Sequence, residues 1–240
     1  MDVAEHRRPR DGRWLYQIAD DHTIDLRVNT VPTLHGEDMT MRVLDRKTRL
    51  LKVESLGLLK REFFNLQKLV GSPAGLVLVT LHAPVAAGAI QSMLGMGVAP
   101  HFLASCLNGV IAQRLVQTLC RECRVAYPLD EVAVSFDDVR PFLETGEGES
   151  IYGAKGCPAC KMLGYDGRSG LFEVLTVTPA IRQMILKSMP LQQIRRQAVA
   201  DGMMEFRQTA LLKVAQGVTS VEQVFQAVPS EYLFAEDAAT

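Results

Sequence analysis

Two Cys-x-x-Cys pairs, Cys120-Arg121-Glu122-Cys123 and Cys157-Pro158-Ala159-Cys160, constrain this chain more than any other feature. Each pair can turn both sulfurs towards one ion, and four thiolates match the tetrahedral preference of zinc in a closed set that leaves no position for a catalytic water. The reading is a structural zinc site. The 33 residues between the pairs exceed the spacing of a compact zinc ribbon, so the metal would clamp the ends of an inserted subdomain. Two unrelated buried pairs are the alternative. The fifth cysteine, Cys106, falls by pattern in mid-helix on an apolar face and reads as a small core residue. An odd number of cysteines so arranged suits a reducing compartment better than a disulfide framework. No stretch reaches the ~20 apolar residues of a membrane span, and the opening Met-Asp-Val-Ala-Glu-His-Arg-Arg lacks the apolar core of a signal peptide. A cytoplasmic chain is the expectation, a peripheral place at the inner face of the cytoplasmic membrane being compatible with it.

The 240 residues carry 26 Lys plus Arg against 27 Asp plus Glu, so bulk charge does not direct the chain to nucleic acid. Residues 1–10 read as a polar tail. From Asp11-Gly12, a predicted turn, two alternating runs flank Asp20-Asp21 and a third follows His35-Gly36, which gives a small antiparallel sheet. "KREFFNLQKLV" has helical spacing with Phe63, Phe64, Leu66 and Val70 as its apolar stripe, and residues 76–80, "LVLVT", form a short apolar β-branched strand. A helix is predicted for residues 85–94. A longer one, residues 100–119, is apolar around most of its circumference and must be buried by neighbours. Between the cysteine pairs, "ETGEGES" reads as an exposed loop. "RSGLFEVLTV" reads as a strand, Thr178-Pro179 as a helix start, and the remainder to residue 228 as three short amphipathic helices. Residues 229–240 carry no pattern.

Four blocks then resemble a known family, the hexameric ATPases of type II secretion and type IV pilus assembly. "DGRWLYQIADDHTIDLRVNTVPTLHGEDMTMRVLDR" is similar to the family's amino-terminal segment with its DGR turn and R-V-S-T-x-P-T pattern. "TLHAPVAAGAIQSMLGMGVAPHFLASCLNGVIAQRLVQTLCRECR" is similar to its T-L-H-T-N-D histidine box followed by A-Q-R-L-x-x-x-L-C-x-x-C. "GCPACKMLGYDGRSGLFEVL" resembles the second zinc knuckle and its G-Y-x-G-R-x-G-x-F/Y-E sequel, and "LLKVAQGVTSVEQVFQ" the K-x-x-x-G-x-T-x-x-E-E-V end. The resemblance implies an α/β fold: the remnant of a RecA-like P-loop core with a small amino-terminal antiparallel β unit, an inserted four-cysteine zinc subdomain and a carboxy-terminal helical bundle. The expected partition is residues 11–58 for the β unit, 59–119 for the truncated core, 120–160 for the zinc subdomain, 161–228 for the terminal strand and helices, and 229–240 for a tail.

The centre of the family is missing. Its first core strand leads into G-P-T-G-S-G-K-T, two acidic motifs and a second strand before the histidine box; here a single "LVLVT" serves as both strands. An internal loss between two similar strands is the simplest account. With the loop go the converging N–H donors for phosphate and the lysine, and with the hydroxyl and acidic motif go the Mg2+ ligands. ATP with Mg2+ is therefore not an expected cofactor, and no catalytic residue is assigned. After Leu81-His82 the box's polar residues are replaced by Ala83-Pro84-Val85. By the resemblance, His82 holds the phosphate-sensing position, and Arg27, Arg42 and Arg46 match arginines some of which reach nucleotide phosphates. More modestly, His82 is a loop histidine and the arginines a basic strand face. Arg114 is expected to pair with an acidic neighbour.

Three functions follow as alternatives. The first is a non-catalytic derivative acting through contacts with secretion or pilus ATPase subunits or inner-membrane platform proteins. The second is a nucleotide-binding subunit that completes a shared ATP site in trans within a ring. The third is a zinc-knuckle binding module unrelated to secretion, to which "CPACKMLGYDG" is loosely similar. Loss of the core's middle also predicts an opened core, with exposed apolar surface around residues 110–119 and self-association. A gene remnant without a role is a further alternative.

Overall fold

The computed structural model describes residues 6–20, 22–45, 52–71, 79–129 and 135–233. Arg46, most of the strand expected at residues 76–80, and most of the tail after residue 228 lie outside them. The chain divides into two units, Met1–Lys52 and Val53–Thr240.

The first unit is a meander of three antiparallel strands, β1 (Arg10–Ala19), β2 (His22–Thr33) and β3 (Gly36–Asp45). Asp11-Gly12, expected to turn, lies inside β1. Period-two alternation sorts the side chains. Trp14, Leu26 and Val43 face one side in one row, and Arg13, Arg27 and Arg42 the other side in the next. The polar side is knitted by a bidentate bond from Arg13 to Asp25 (2.8 and 2.6 Å) and by Asn29 donating to Asp11 (2.7 Å).

The second unit is built on a long antiparallel pair, β4 (Gly109–Leu119) and β7 (Tyr165–Thr176), with a shorter pair nested inside it, β5 (Val125–Pro128) and β6 (Ser150–Gly153). Helices α1 (Lys60–Val70), α2 (Ala86–Gly95) and α3 (Pro100–Cys106) precede β4. Helices α4 (Pro179–Leu186), α5 (Leu191–Ala200), α6 (Phe206–Ala215) and α7 (Val221–Ala227) follow β7. Thr178 caps α4 as expected, its hydroxyl accepting the Ile181 N–H at 3.3 Å with Pro179 in the first turn.

The long helix expected at residues 100–119 is not formed. The helix stops at Cys106, and the rest is β4. The apolar character all round that suggested a buried helix is a strand's alternation wound on the wrong period: Ile111, Gln113, Leu115 and Gln117 are exposed, while Val110, Ala112, Arg114 and Val116 face inward. Cys106, expected in the core, is exposed at the end of α3, its sulfur 3.6 Å from the Ser105 hydroxyl. On α1, Phe64 (65% exposed) and Val70 point outward, and the buried residue is Glu62. The apolar surface expected around residues 110–119 is present, but as the outer row of a strand, with Leu115 60% exposed.

Two apolar clusters lie along the inner face of the β4–β7 pair. One gathers Val116, Leu171, Phe206, Leu212 and Val224, the other Leu175, Ile90, Leu103, Ile181 and Ile194. Between Leu171 and Leu175, on the same face, sits Glu173. Among the described residues no helix is long and apolar enough to cross a membrane.

Candidate functional site

The nested hairpins bring the two cysteine knuckles together. β4 ends at Leu119, which pairs with Tyr165 at the start of β7, so Cys120–Cys123 and Cys157–Cys160 meet where the outer ladder hands over to the inner one. The four sulfurs all lie within 4.8 Å of one another. Cys120–Cys157, Cys123–Cys160 and Cys157–Cys160 are each 3.8 Å apart. Such spacing excludes disulfides, whose sulfurs stand about 2.05 Å apart. It equals the edge of a tetrahedron, about 3.8 Å, for sulfurs about 2.3 Å from a central zinc ion. The donor set fits that ion.

Backbone geometry supports the thiolates. Cys160 Sγ accepts the Cys157 N–H at 3.2 Å and the Gly164 N–H at 3.1 Å. Burial opposes its ionisation, but these donors prevail and bring its thiol down to about 6. Burial pushes Cys123 up to about 12, with the neighbouring sulfurs adding to the rise. Cys120 and Cys160 are buried, Cys123 and Cys157 half-buried, and the Cys120 N–H donates to Gly164 O at 3.0 Å, tying the knuckles. Arg124 braces the insert, stacking 4.4 Å over the Tyr152 ring and donating to Gly217 O at 2.5 Å.

The residues matched to nucleotide contacts are arranged differently. Arg27 and Arg42 stand directly opposite each other on β2 and β3, both exposed. Their row-mate Arg13 is engaged with Asp25. His82 is exposed on the irregular segment before α2 and makes no hydrogen bond among the described residues. Arg114, expected beside an acid, instead donates to the Pro84 carbonyl at 3.1 Å.

Sequence reading did not single out the buried charges of the second unit. Glu173 is 3% exposed and accepts the Ala86 N–H at 2.8 Å and the Phe206 N–H at 3.1 Å, so one carboxylate holds the first residues of both α2 and α6. Burial raises its pKa, and the two N–H donors hold part of that rise back. Glu62 accepts the Leu59 N–H at 2.8 Å through one oxygen, while the other, buried, has no partner. Burial pushes Glu62 up to about 7 against the pull of that N–H and of the Lys213 charge. Lys213 itself is buried, lowered by desolvation, and donates to Gly57 O (2.7 Å) and Ser169 Oγ (3.0 Å). The available signal lay in the matched blocks, where Glu173 ends the sequel of the second knuckle and Lys213 opens the terminal motif.

Comparison with known proteins gives one family. The model of the "Type II/IV secretion system protein" family matches residues 1–80 and again 75–226, so residues 75–80 are used twice. The "Type II secretion system ATPase E" of Vibrio cholerae is 26% identical over 322 residues, covering 94% of this chain and 62% of that protein. The "Type II secretion system protein HxcR" of Pseudomonas aeruginosa is 27% identical over 320 residues, covering 94% and 64%. The "Type IV pilus assembly ATPase PilB" of the same organism is 25% identical over 319 residues, covering 93% and 56%. The chain thus spans less than two thirds of the length of each of these relatives, and each alignment is longer than its own 240 residues.

Proposed function

Since the chain belongs to the type II/IV secretion system protein family, we propose that it is a derivative of the secretion and pilus assembly ATPases that keeps their frame without the chemistry of ATP hydrolysis. Its role is then one of contact, with full-length ATPase subunits or with inner-membrane platform proteins of the same machinery. The observation that carries this reading is the double use of residues 75–80. The family model enters them as the end of one matched segment and as the start of the next. The phosphate loop and acidic motifs that the resemblance places between those two points have no counterpart in the chain. Phosphoryl transfer depends on positioned backbone donors, a lysine and a held Mg2+, so their joint loss removes the reaction's means.

On this reading α2, α3 and the β4–β7 pair are what remains of a RecA-like core in residues 59–119 and 161–176, and α4 to α7 are the helical bundle. Residues 120–160 are a zinc-closed insert in which Cys120, Cys123, Cys157 and Cys160 hold the ion. All four positions are taken by sulfur, so zinc there supplies stability and no reactive water.

A calorimetric titration of the isolated chain with Mg-ATP is the test, with no saturable binding expected; micromolar binding would overturn the reading. Elemental analysis of protein purified without chelator should give about one zinc per chain by the four-thiolate argument, and a metal-free protein would remove the zinc claim.

A second reading has its own observation. Two guanidinium groups set directly opposite on adjacent strands repel, and such an exposed pair is stabilised by an anion. Arg27 and Arg42 would then complete a neighbouring subunit's phosphate site in trans. Mixing with a full-length ATPase of the family, with and without Arg27→Ala and Arg42→Ala, distinguishes the two. A change in turnover that the substitutions abolish favours the shared site, and turnover indifferent to the arginines rejects it.

A further inference from the structure

The segment that opens the second unit, residues 53–59, is held down by the buried charges described above. It begins with a single 3-10 turn, Val53–Ser55, and then runs without regular structure to α1. Four bonds fix it. The Gly170 N–H on β7 donates to Leu56 O at 3.0 Å. Lys213 on α6 donates to Gly57 O at 2.7 Å and braces itself on Ser169 Oγ at 3.0 Å. Glu62 on α1 accepts the Leu59 N–H at 2.8 Å. Gly57 has φ +90 and leaves no room for a side chain: a Cβ there would run into the Ser169 hydroxyl and press on Gly170 N and Lys213 Nζ, both at 3.2 Å.

We propose that Lys213, Glu62 and Gly57 form a latch on this segment, a conformational device that holds residues 53–59 down on the second unit and can release them as one piece. A buried ammonium is an expensive means of holding a main-chain carbonyl, since an apolar side chain would fill the same space without desolvating a charge. What the ammonium adds is a contact that is made in full or lost in full. The spare oxygen of Glu62 points the same way, because a buried carboxyl oxygen without a partner costs the closed state its desolvation penalty, which opening to water recovers. Opening releases residues 53–59 as a chain that can extend to roughly 20 Å at ~3.3 Å per residue. Among the described residues the charge acting on Glu62 is that of Lys213, and Lys213 in turn is acted on by Glu62, so the two respond together.

Hydrogen exchange on the full, metal-loaded chain tests this, with Lys213→Met as the main variant and Ser169→Ala as a milder one that spares the ammonium. The expected result is exchange at Leu56 and Leu59, whose N–H groups are bonded, faster by about tenfold in Lys213→Met and about threefold in Ser169→Ala. Exchange in the ladder between β4 and β7 should stay within twofold of the parent. Lys213→Arg, which can still reach a carbonyl, should recover part of the protection. Unchanged exchange at Leu56 and Leu59 overturns the latch. So does a rise shared equally by the β4–β7 ladder, which would mean that Lys213 supports the whole unit and no separable segment.

Discussion

Glu62 carries its consequence in its titration. Its pKa rises from 4.5 to about 7 because burial disfavours the carboxylate. A raised acid stabilises the fold below its unfolded value, and that contribution is lost as pH climbs through the folded value, so stability falls between pH 4.5 and 7. The amount is on the order of 3 kcal/mol for a shift of this size. Thermal melts of Glu62→Gln should lack this fall, and the variant should be the more stable protein at about pH 8, above the folded value; parallel pH profiles would refute the assignment. Glu173 behaves otherwise, since its two oxygens each accept an N–H. Glu173→Gln keeps one acceptor and turns an NH2 group towards a helix N-terminus, at a cost of roughly 2–4 kcal/mol in denaturant unfolding. The cysteines were legible in the sequence because their spacing is local chemistry. Glu62, Glu173 and Lys213 were not, because a charge reads as surface until a distant element supplies the bond that lets it be buried. For Glu173 those bonds come from Ala86 and Phe206, 87 and 33 residues away.

Between elements, the β4–β7 pair organises the second unit, and it is where pattern reading failed. Ala112, Arg114 and Val116 alternate with Ile111, Gln113 and Leu115, but all of these except Gln113 have side chains or stems apolar enough to satisfy a helical stripe as well. Long-range pairing with β7 decides the matter, and periodicity contains no information about a partner so far along the chain. The helices α4 to α7, by contrast, carry caps and breaks in their own residues, as Thr178 and Ser220 do, although α6, expected to be amphipathic, is buried on most sides. The sulfur cluster sits at one end of the ladder. Substituting Cys157→Ser or stripping metal with a strong chelator should therefore loosen that end first: exchange at Leu119 and Tyr165 should rise at least tenfold, while Val110 and Leu175, backed by the second apolar cluster, keep their protection. Uniform loosening along the ladder would show that the clamp acts on the unit as a whole.

For the molecule as a whole, the division at Lys52 and Val53 predicts that residues 53–240, produced alone, melt in one cooperative step within a few degrees of the corresponding transition in the full chain. Loss of a cooperative transition would contradict the division. Among the described residues, the two clusters of the second unit are closed by helices on one face of a two-stranded ladder, with Glu173 joining them. The nesting of β5–β6 inside β4–β7 has a further effect on what such a chain can become. Both ends of the insert meet at the four sulfurs, and inside it Phe136 and Val139 are buried in the first apolar cluster, so the part free to vary is the exposed turn at Glu144, Thr145 and Gly146. Doubling such a turn costs only about 0.6 kcal/mol. That turn is thus a place where descendants of this chain can exchange one surface for another, and variation in length should accumulate there while the ladder and the packed residues beneath it stay constant.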